Sequence, residues 1–159
     1  MVRLSKLTDY GMVLMSSFAR GGPGSLRSAR ELAAECRLPL PTVSKLLKEL
    51  LQCGLLVSHR GMQGGYRLAK APKEISLAEI ITALEGPVAW TECSTDESGL
   101  CELEACCAIK RNQQVISKAV RGVLEKLMLS DLIQPIELTS IQNASGISVP
   151  AVSLTRRIQ

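Results

Sequence analysis

The sequence predicts a mostly α-helical protein with one small β-hairpin, and three patterns support this fold class. In the first part of the stretch 38–69, apolar side chains recur at helical spacing, at Val43, Leu46, Leu47 and Leu50. Directly afterwards, two β-prone runs flank the glycine-rich loop 61–65, which is typical of a hairpin. A second helical period, in residues 106–129, predicts a longer helix.

Two helices are predicted before this stretch. The run Gly-Gly-Pro-Gly at residues 21–24 ends the first one, whose predicted buried face consists of Leu7, Tyr10, Val13, Leu14 and Phe18. The second begins at a capping box formed by Ser28 and Glu31 and ends near Pro39. Its place before the third helix is that of the positioning helix in a helix-turn-helix.

The third helix and the hairpin complete this unit. Pro41 suits a first helical turn, where its missing N–H matters least, and Gly54 supplies the left-handed residue that ends the helix. Strands are predicted over residues 55–60 and 66–69. Residues 1–87 are therefore predicted to form a winged helix-turn-helix.

The charge distribution favours a polyanionic partner for this unit. Residues 1–70 hold 11 Lys and Arg against 4 Asp and Glu, whereas residues 71–159 hold 8 against 11. Basic side chains near phosphates release condensed counterions, which adds affinity for nucleic acid. The alternative is a packed, solvated unit that contacts nothing outside the protein. However, a helix followed by a wing indicates DNA binding more specifically than either pattern alone. The outward face of the third helix consists of Thr42, Ser44, Lys45 and Lys48.

After a further short helix, which begins at a capping box of Ser76 and Glu79, the chain is predicted to carry a dimerisation helix at residues 108–134. Its apolar seam consists of Ile109, Ile116, Val120, Val123, Leu124 and Leu127. A second copy of the chain is the simplest cover for that seam, which predicts a homodimer. The alternative is a helix that folds back on its own head. Residues 135–159 are predicted to be a disordered tail.

Cysteines cluster between these two parts of the chain. Cys93, Cys101 and Cys107 lie on the irregular acidic loop 88–107, and Cys106 adjoins the last of them. Three thiolates on irregular backbone can converge on one ion or cluster, and iron-sulfur ligation tolerates uneven spacing. Zinc would need a fourth ligand, and a thiol redox switch or inert thiols are the remaining interpretations.

Cysteine usage and hydropathy together predict a cytoplasmic protein. No apolar run approaches membrane-spanning length, and the N-terminus lacks the apolar core of a secretion signal. Six cysteines in a reducing compartment are not expected to form a disulfide framework. Cys36 and Cys53, on helices of the winged unit, are predicted to be small buried thiols.

Four segments carry a resemblance to a known family. They are LSKLTDYG, LPLPTVSKLLKELLQCGLL, SHRGMQGGYRLA and ISLAEIITALEGPVAWTECS, the last followed by the spaced cysteines. In this order and with these gaps, they resemble the Rrf-type winged-helix regulators, and most closely the IscR-like regulators of SUF-system iron-sulfur assembly. The resemblance covers residues 1 to about 134.

The resemblance implies a homodimeric bacterial repressor in which Cys93, Cys101 and Cys107 of each subunit bind a 2Fe-2S or 4Fe-4S cluster. Family members with a histidine as fourth ligand carry it three residues after the last cysteine, where this chain has Lys110. Other members use an acidic residue from the first helix of the partner subunit, and the matching residue here is Asp9. The alternative role of Asp9 is to cap that helix.

DNA contacts also follow from the resemblance, which carries over Pro41, Thr42, Lys45 and Arg60. A major groove admits such a helix, and a narrow minor groove attracts an inserted arginine. His59, the only histidine, is a candidate phosphate contact beside Arg60, with a solvated strand residue as the alternative. The predicted site for a double-stranded operator consists of Pro41, Thr42, Ser44, Lys45, Lys48, His59 and Arg60.

Three functions are compatible with these features. The first is an iron-sulfur-dependent repressor of cluster assembly genes. The second keeps the DNA-binding fold but senses nitric oxide, iron or thiol redox state. The third is a small metal-handling or redox enzyme that uses the cysteine loop. Because no activated nucleophile with an adjacent base is visible, the chain is predicted not to be an enzyme.

Overall fold

Five α-helices and one two-stranded antiparallel hairpin form this protein in the computed structural model, which describes residues 4–22, 24–61, 64–89, 91, 94 and 106–135. The predicted fold class is confirmed. In chain order the elements are α1 (Lys6–Arg20), α2 (Ala29–Cys36), α3 (Leu40–Gln52), β1 (Leu56–His59), β2 (Gly65–Leu68), α4 (Leu77–Glu85) and α5 (Lys110–Lys126). Within the described ranges, no helix is both long and apolar enough to cross a membrane.

The helix ends follow from local chemistry. Ser28 and Ser76 each accept a hydrogen bond from the backbone N–H three residues on, and the predicted capping boxes at α2 and α4 are present. At α1 the cap is Ser5, whose Oγ accepts from the Thr8 N–H at 3.2 Å. Gly54, with φ of +72°, lies in the left-handed region after α3, as predicted.

A hydrophobic core lies between α1, α2, α3, α4 and the hairpin, and these elements together are called the winged head below. The predicted buried face of α3 is confirmed, since its four leucine and valine positions have no exposed surface. On α1 one position differs: Val13 is 45% exposed, because Leu14, Met15 and Phe18 define the face that enters the core. Val13 therefore faces away from its own head.

The end of the predicted dimerisation helix belongs to the winged head. Helix α5 stops at Lys126 instead of continuing to residue 134, and the chain turns back towards α4. The Leu127 carbonyl accepts from the Leu77 N–H, and the Leu129 N–H donates to the Ile75 carbonyl, both at 2.8 Å. Leu129 is fully buried in the core. The predicted tail, apart from residue 135, lies outside the described residues.

We expect Leu129→Ala to lower the free energy of unfolding by about 2–5 kcal/mol, because the substitution leaves a cavity in the core of the head. Urea denaturation followed by circular dichroism measures this change. Leu26→Ala is the matched control, since Leu26 is 40% exposed and its truncation should cost less than about 0.5 kcal/mol. Equal, small effects of both substitutions would contradict the assignment of this segment to the head.

Candidate nucleic-acid interface

Helix α3 exposes a basic, polar surface opposite its buried face. Ser44, Lys45 and Lys48 are exposed, whereas Thr42 is half-buried. Lys45 Nζ lies 3.8 Å from Glu49 Oε1, and the Lys45 side chain remains 62% exposed. Such an exposed ion pair is weak, so Lys45 can exchange this partner for a phosphate at little cost.

The N-terminal end of α3 is open to solvent. Pro39 occupies the N-cap position and provides no side-chain hydrogen bond, and Pro41 lies in the first turn as predicted. Leu40 and Pro41 are both exposed there. Helix N-termini carry free N–H groups and a partial positive charge, so this end is suited to approach a phosphate backbone.

The wing presents a second basic group. Arg60 follows β1 and is exposed, and the loop after it begins at Gly61, whose φ is +122°. A hydrogen bond of 2.9 Å from the Gly64 N–H to the Gly61 carbonyl closes the turn. Arg60 therefore lies at the shoulder of the hairpin, where it was predicted.

His59 has a partner within the wing that the sequence analysis missed. Arg67, on β2, donates from Nε to His59 Nε2 at 3.0 Å. Because Nε2 accepts this bond, the neutral ring carries its proton on Nδ1. Arg67 could have been recognised from strand alternation, since it lies between Tyr66 and Leu68, which pack against the core. The wing thus contains a second arginine, Arg67, besides Arg60.

The cysteines divide into those that the structure describes and those that it does not. Cys107 is half-buried shortly before α5, where its carbonyl accepts from the Lys110 N–H at 3.3 Å, and Cys106 is exposed. Cys93 and Cys101 lie outside the described residues. In the described ranges, no three His, Cys, Asp or Glu side chains converge as a metal site would require.

Two further thiols lie in the winged head. Cys53 was predicted to be buried, but it is exposed at the C-cap of α3. Its Sγ donates a hydrogen bond to the Ala83 carbonyl at 3.8 Å. Cys36 is half-buried. Burial raises the pKa of the Cys36 thiol, and this effect outweighs a hydrogen bond with Ser17 that lowers it. The protonated Cys36 is a poor metal ligand at neutral pH.

Among the described residues, α5 and α1 each expose a surface that is uncovered in the single chain. On α5, Ile109, Ile116 and Val120 of the predicted seam are 38–55% exposed, whereas Leu124 and Leu127 pack against the head. The fold-back alternative therefore describes only the last turns of the helix. Val115, which the sequence analysis did not include in the seam, is 62% exposed. The first three turns of α5 therefore expose an apolar face.

The other uncovered surface is on α1. Asp9 and Val13, one turn apart, are both exposed. Since Ser5 is the N-cap of α1, Asp9 does not serve that role. Its carboxylate lies in the first turn, where the helix dipole favours negative charge. Asp9 is thus placed on an exposed face from which it can reach another molecule.

Most of the chain is similar to one known family of regulators. The family model described as Rrf2, iron-dependent transcriptional regulator, matches residues 4–135. The HTH-type transcriptional regulator NsrR of Shouchella clausii is 30% identical over 132 residues, which are 83% of this chain and 89% of that protein. Bacillus subtilis NsrR is 27% identical over 133 residues, which are 84% of this chain and 91% of that protein.

Solved structures of two regulators are also similar to this chain. The structure of CymR (YrzC), the global cysteine regulator of B. subtilis, is 27% identical with a TM-score of 0.67, and the match covers 84% of this chain and 97% of that chain. The structure of T. potens IscR is 26% identical with a TM-score of 0.64, and the match covers 87% of this chain and 96% of that chain.

Proposed function

Because the chain belongs to the Rrf2 family of transcriptional regulators, we propose that it is an iron-sulfur-dependent repressor of genes for iron-sulfur cluster assembly. Family membership confirms the predicted resemblance, and the relatives reported above are regulators, not enzymes, as predicted. The observation that carries the finer proposal is the set Cys93, Cys101 and Cys107, which stands between the winged head and α5.

The head binds double-stranded DNA by placing α3 in the major groove. Pro41, Ser44 and Lys45 lie on the surface that would face the DNA, because the opposite face of the helix is filled by the core. Lys48 lies one turn further on, within reach of the phosphate backbone. Arg60 enters the adjacent minor groove from the shoulder of the wing.

Two heads are joined through the exposed part of α5. The seam residues Ile116 and Val120 pack against a second copy of the chain, which places two recognition helices in one two-fold assembly. Such a dimer reads two half-sites about 34 Å apart, one turn of DNA. As a regulator of transcription, it acts in the cytoplasm, where its operator lies.

The donor set fits an iron-sulfur cluster in its chemistry. Cys93, Cys101 and Cys107 supply three soft thiolates, which iron in such clusters prefers. A lysine ammonium has no lone pair, so Lys110 does not replace the histidine of other family members. The exposed Asp9 of the partner subunit is the proposed fourth ligand. When bound, the cluster would supply redox-sensitive iron, and these residues would be held together around it.

Anaerobic purification followed by visible spectroscopy and a gel shift tests this function. We expect a coloured protein with visible absorption that binds one duplex selected from a random DNA pool. A colourless protein that still selects DNA would favour a thiol-sensing regulator, an alternative that the likeness to the cysteine regulator CymR supports. Failure to select any DNA would contradict the regulatory function itself.

We expect Lys45→Ala and Arg60→Ala each to weaken binding to the selected duplex by about fivefold or more, because both side chains are exposed towards the proposed DNA. For Lys45→Ala, the slope of log affinity against log salt should fall by about one unit if the ammonium meets a phosphate. Fluorescence anisotropy across a salt series measures both effects. Lys118→Ala, on the exposed surface of α5, is the control. Unchanged affinity in both head variants would contradict this docking.

A further inference from the structure

One carboxylate, that of Glu35 on α2, joins three separate elements of the winged head. Its Oε1 accepts a hydrogen bond from Ser17 Oγ on α1 at 2.7 Å. Its Oε2 accepts from the guanidinium of Arg27, with which it forms an ion pair. Arg27 belongs to the connector, residues 24–28, which precedes α2.

The connector is in turn part of the wing. The Arg27 N–H donates to the Tyr66 carbonyl and the Tyr66 N–H donates to the Arg27 carbonyl, both at 2.9 Å. Arg27 thus forms an isolated antiparallel β-bridge with Tyr66 of β2. The approach is close, since a Cβ on Gly65 would lie 2.8 Å from the Arg27 carbonyl oxygen. A glycine is therefore required at residue 65.

These contacts form a continuous connection between the wing and the recognition helix. Strand β2 is hydrogen-bonded to Arg27, Arg27 is held by Glu35, and α2, which carries Glu35, packs directly on α3. The wing also reaches α3 through β1, which follows α3 in the chain, and Tyr66 and Leu68 of β2 pack against the core. The Arg27 pairing adds a hydrogen-bonded attachment at β2, which further restricts the tilt of the hairpin.

The charge of Glu35 has no evident use in binding DNA. Residues 1–70 contain four acidic side chains against 11 basic ones. Glu31 completes the capping box of α2, Glu49 pairs with Lys45, and Asp9 lies on the exposed face of α1. A fourth carboxylate within residues 1–70 repels phosphates, so its presence indicates a structural purpose. The Ser17 hydrogen bond and then that from Arg27 lower the pKa of Glu35, which keeps it ionised.

We propose that Glu35 is a positioning residue that sets the angle of the wing relative to the recognition helix, acting through Arg27. This inference rests on the proposed DNA-binding function, because its consequence is that Arg60 and α3 engage adjacent grooves of one duplex together. The Glu35 side chain is 43% exposed and the Arg27 side chain is 19% exposed, so we expect loss of this partly exposed ion pair to leave the fold intact.

Glu35→Gln separates a positioning role from a purely electrostatic one, because the two roles predict opposite changes in DNA affinity. Removing a negative charge from the head strengthens DNA binding if charge alone matters. Loss of the Arg27 ion pair instead weakens it, and we expect about a fivefold or greater loss of affinity for the selected duplex. Hydroxyl-radical footprinting should show lost minor-groove protection by the wing. Dimethyl sulfate methylation should show that α3 still protects guanine N7 in the major groove.

A measurement without DNA tests the connection itself. In the full-length Glu35→Gln protein, amide hydrogen exchange at Arg27 and Tyr66 should become about tenfold faster, while amides of α3 stay unchanged. Ser17→Ala, which alters no charge, should produce a smaller change of the same sign. In a double-mutant cycle, Arg27→Gln should add little to Glu35→Gln. Glu125→Gln is the matched control, since its carboxylate forms a similarly exposed ion pair with Arg121 on α5.

Each outcome has one meaning. Unchanged or increased affinity of Glu35→Gln, together with unchanged exchange at Arg27 and Tyr66, overturns the proposal. Faster exchange across all of α3 also overturns it, because Glu35 would then support the head in general. If the wild-type protein selects no DNA, the proposed function fails, and the exchange measurement alone decides whether Glu35 holds the wing.

Discussion

Replacing Cys107 with alanine is expected to abolish the visible absorption of the anaerobically purified protein, and the same loss is expected for Cys93→Ala and Cys101→Ala. Three protein thiolates hold the proposed cluster, so the loss of one leaves a donor set too small for stable binding. Cys107 is half-buried shortly before α5, where binding at its sulfur would connect the cysteine loop to that helix. Visible spectroscopy and iron analysis measure the result.

Cys106 provides the matched control for this experiment. It adjoins Cys107 but is exposed, and Cys106→Ala should keep the absorption. Cys53→Ala should keep it as well, because Cys53 lies against the end of α4 in the winged head. A Cys107→Ala protein that retains full absorption and iron would contradict the assigned ligand set.

The same variant measures the coupling between the cysteine loop and DNA binding. We expect loaded wild-type protein and Cys107→Ala to differ in affinity for the selected duplex by at least about tenfold, a coupling of about 1.4 kcal/mol. The reason is that an altered loop changes the spacing of the two recognition helices, and one half-site then loses its base contacts. Equal affinities at one salt concentration would leave the cysteines without a regulatory role.

Ile116→Asp is expected to convert the proposed dimer into monomers. In the single chain Ile116 is 42% exposed, so the substitution spares the fold but places an unpaired charge in the proposed apolar interface. A charge buried without a partner costs about 3–5 kcal/mol, which raises the dimer dissociation constant by about a hundredfold or more. Light scattering measures the mass, and operator affinity should fall with it, because a monomer reads one half-site.

The choice of position makes this test specific. Val123 was also predicted to lie in the seam, but it is half-buried within its own chain, so a charge there would also disturb contacts within that chain. Lys118→Asp is the control, since a residue two positions from Ile116 lies on the far side of the helix. A dimer that persists in Ile116→Asp, or that dissociates equally in Lys118→Asp, would contradict the proposed seam.

Much of the winged head could be predicted because its signals are local. The capping boxes at Ser28 and Ser76 involve residues three positions apart, and Gly54 ends α3 through its own backbone conformation. The buried face of α3 follows from the helical period alone. For the candidate site, the same period showed that Lys45 and Lys48 point outward, although it gave no sign of the Arg67 to His59 hydrogen bond.

The sequence by itself determined which segments become helices and which hairpin follows α3, since each choice depends on residues within one or two turns of each other. Only the tertiary structure decided that Val13 and Cys53 are exposed, that Leu129 returns to the core, and that Arg27 joins the wing to Glu35. Those outcomes depend on which distant elements pack together. A helical period identifies an apolar face but not the partner that covers it, and an isolated arginine gives no sign of the carboxylate that it will meet.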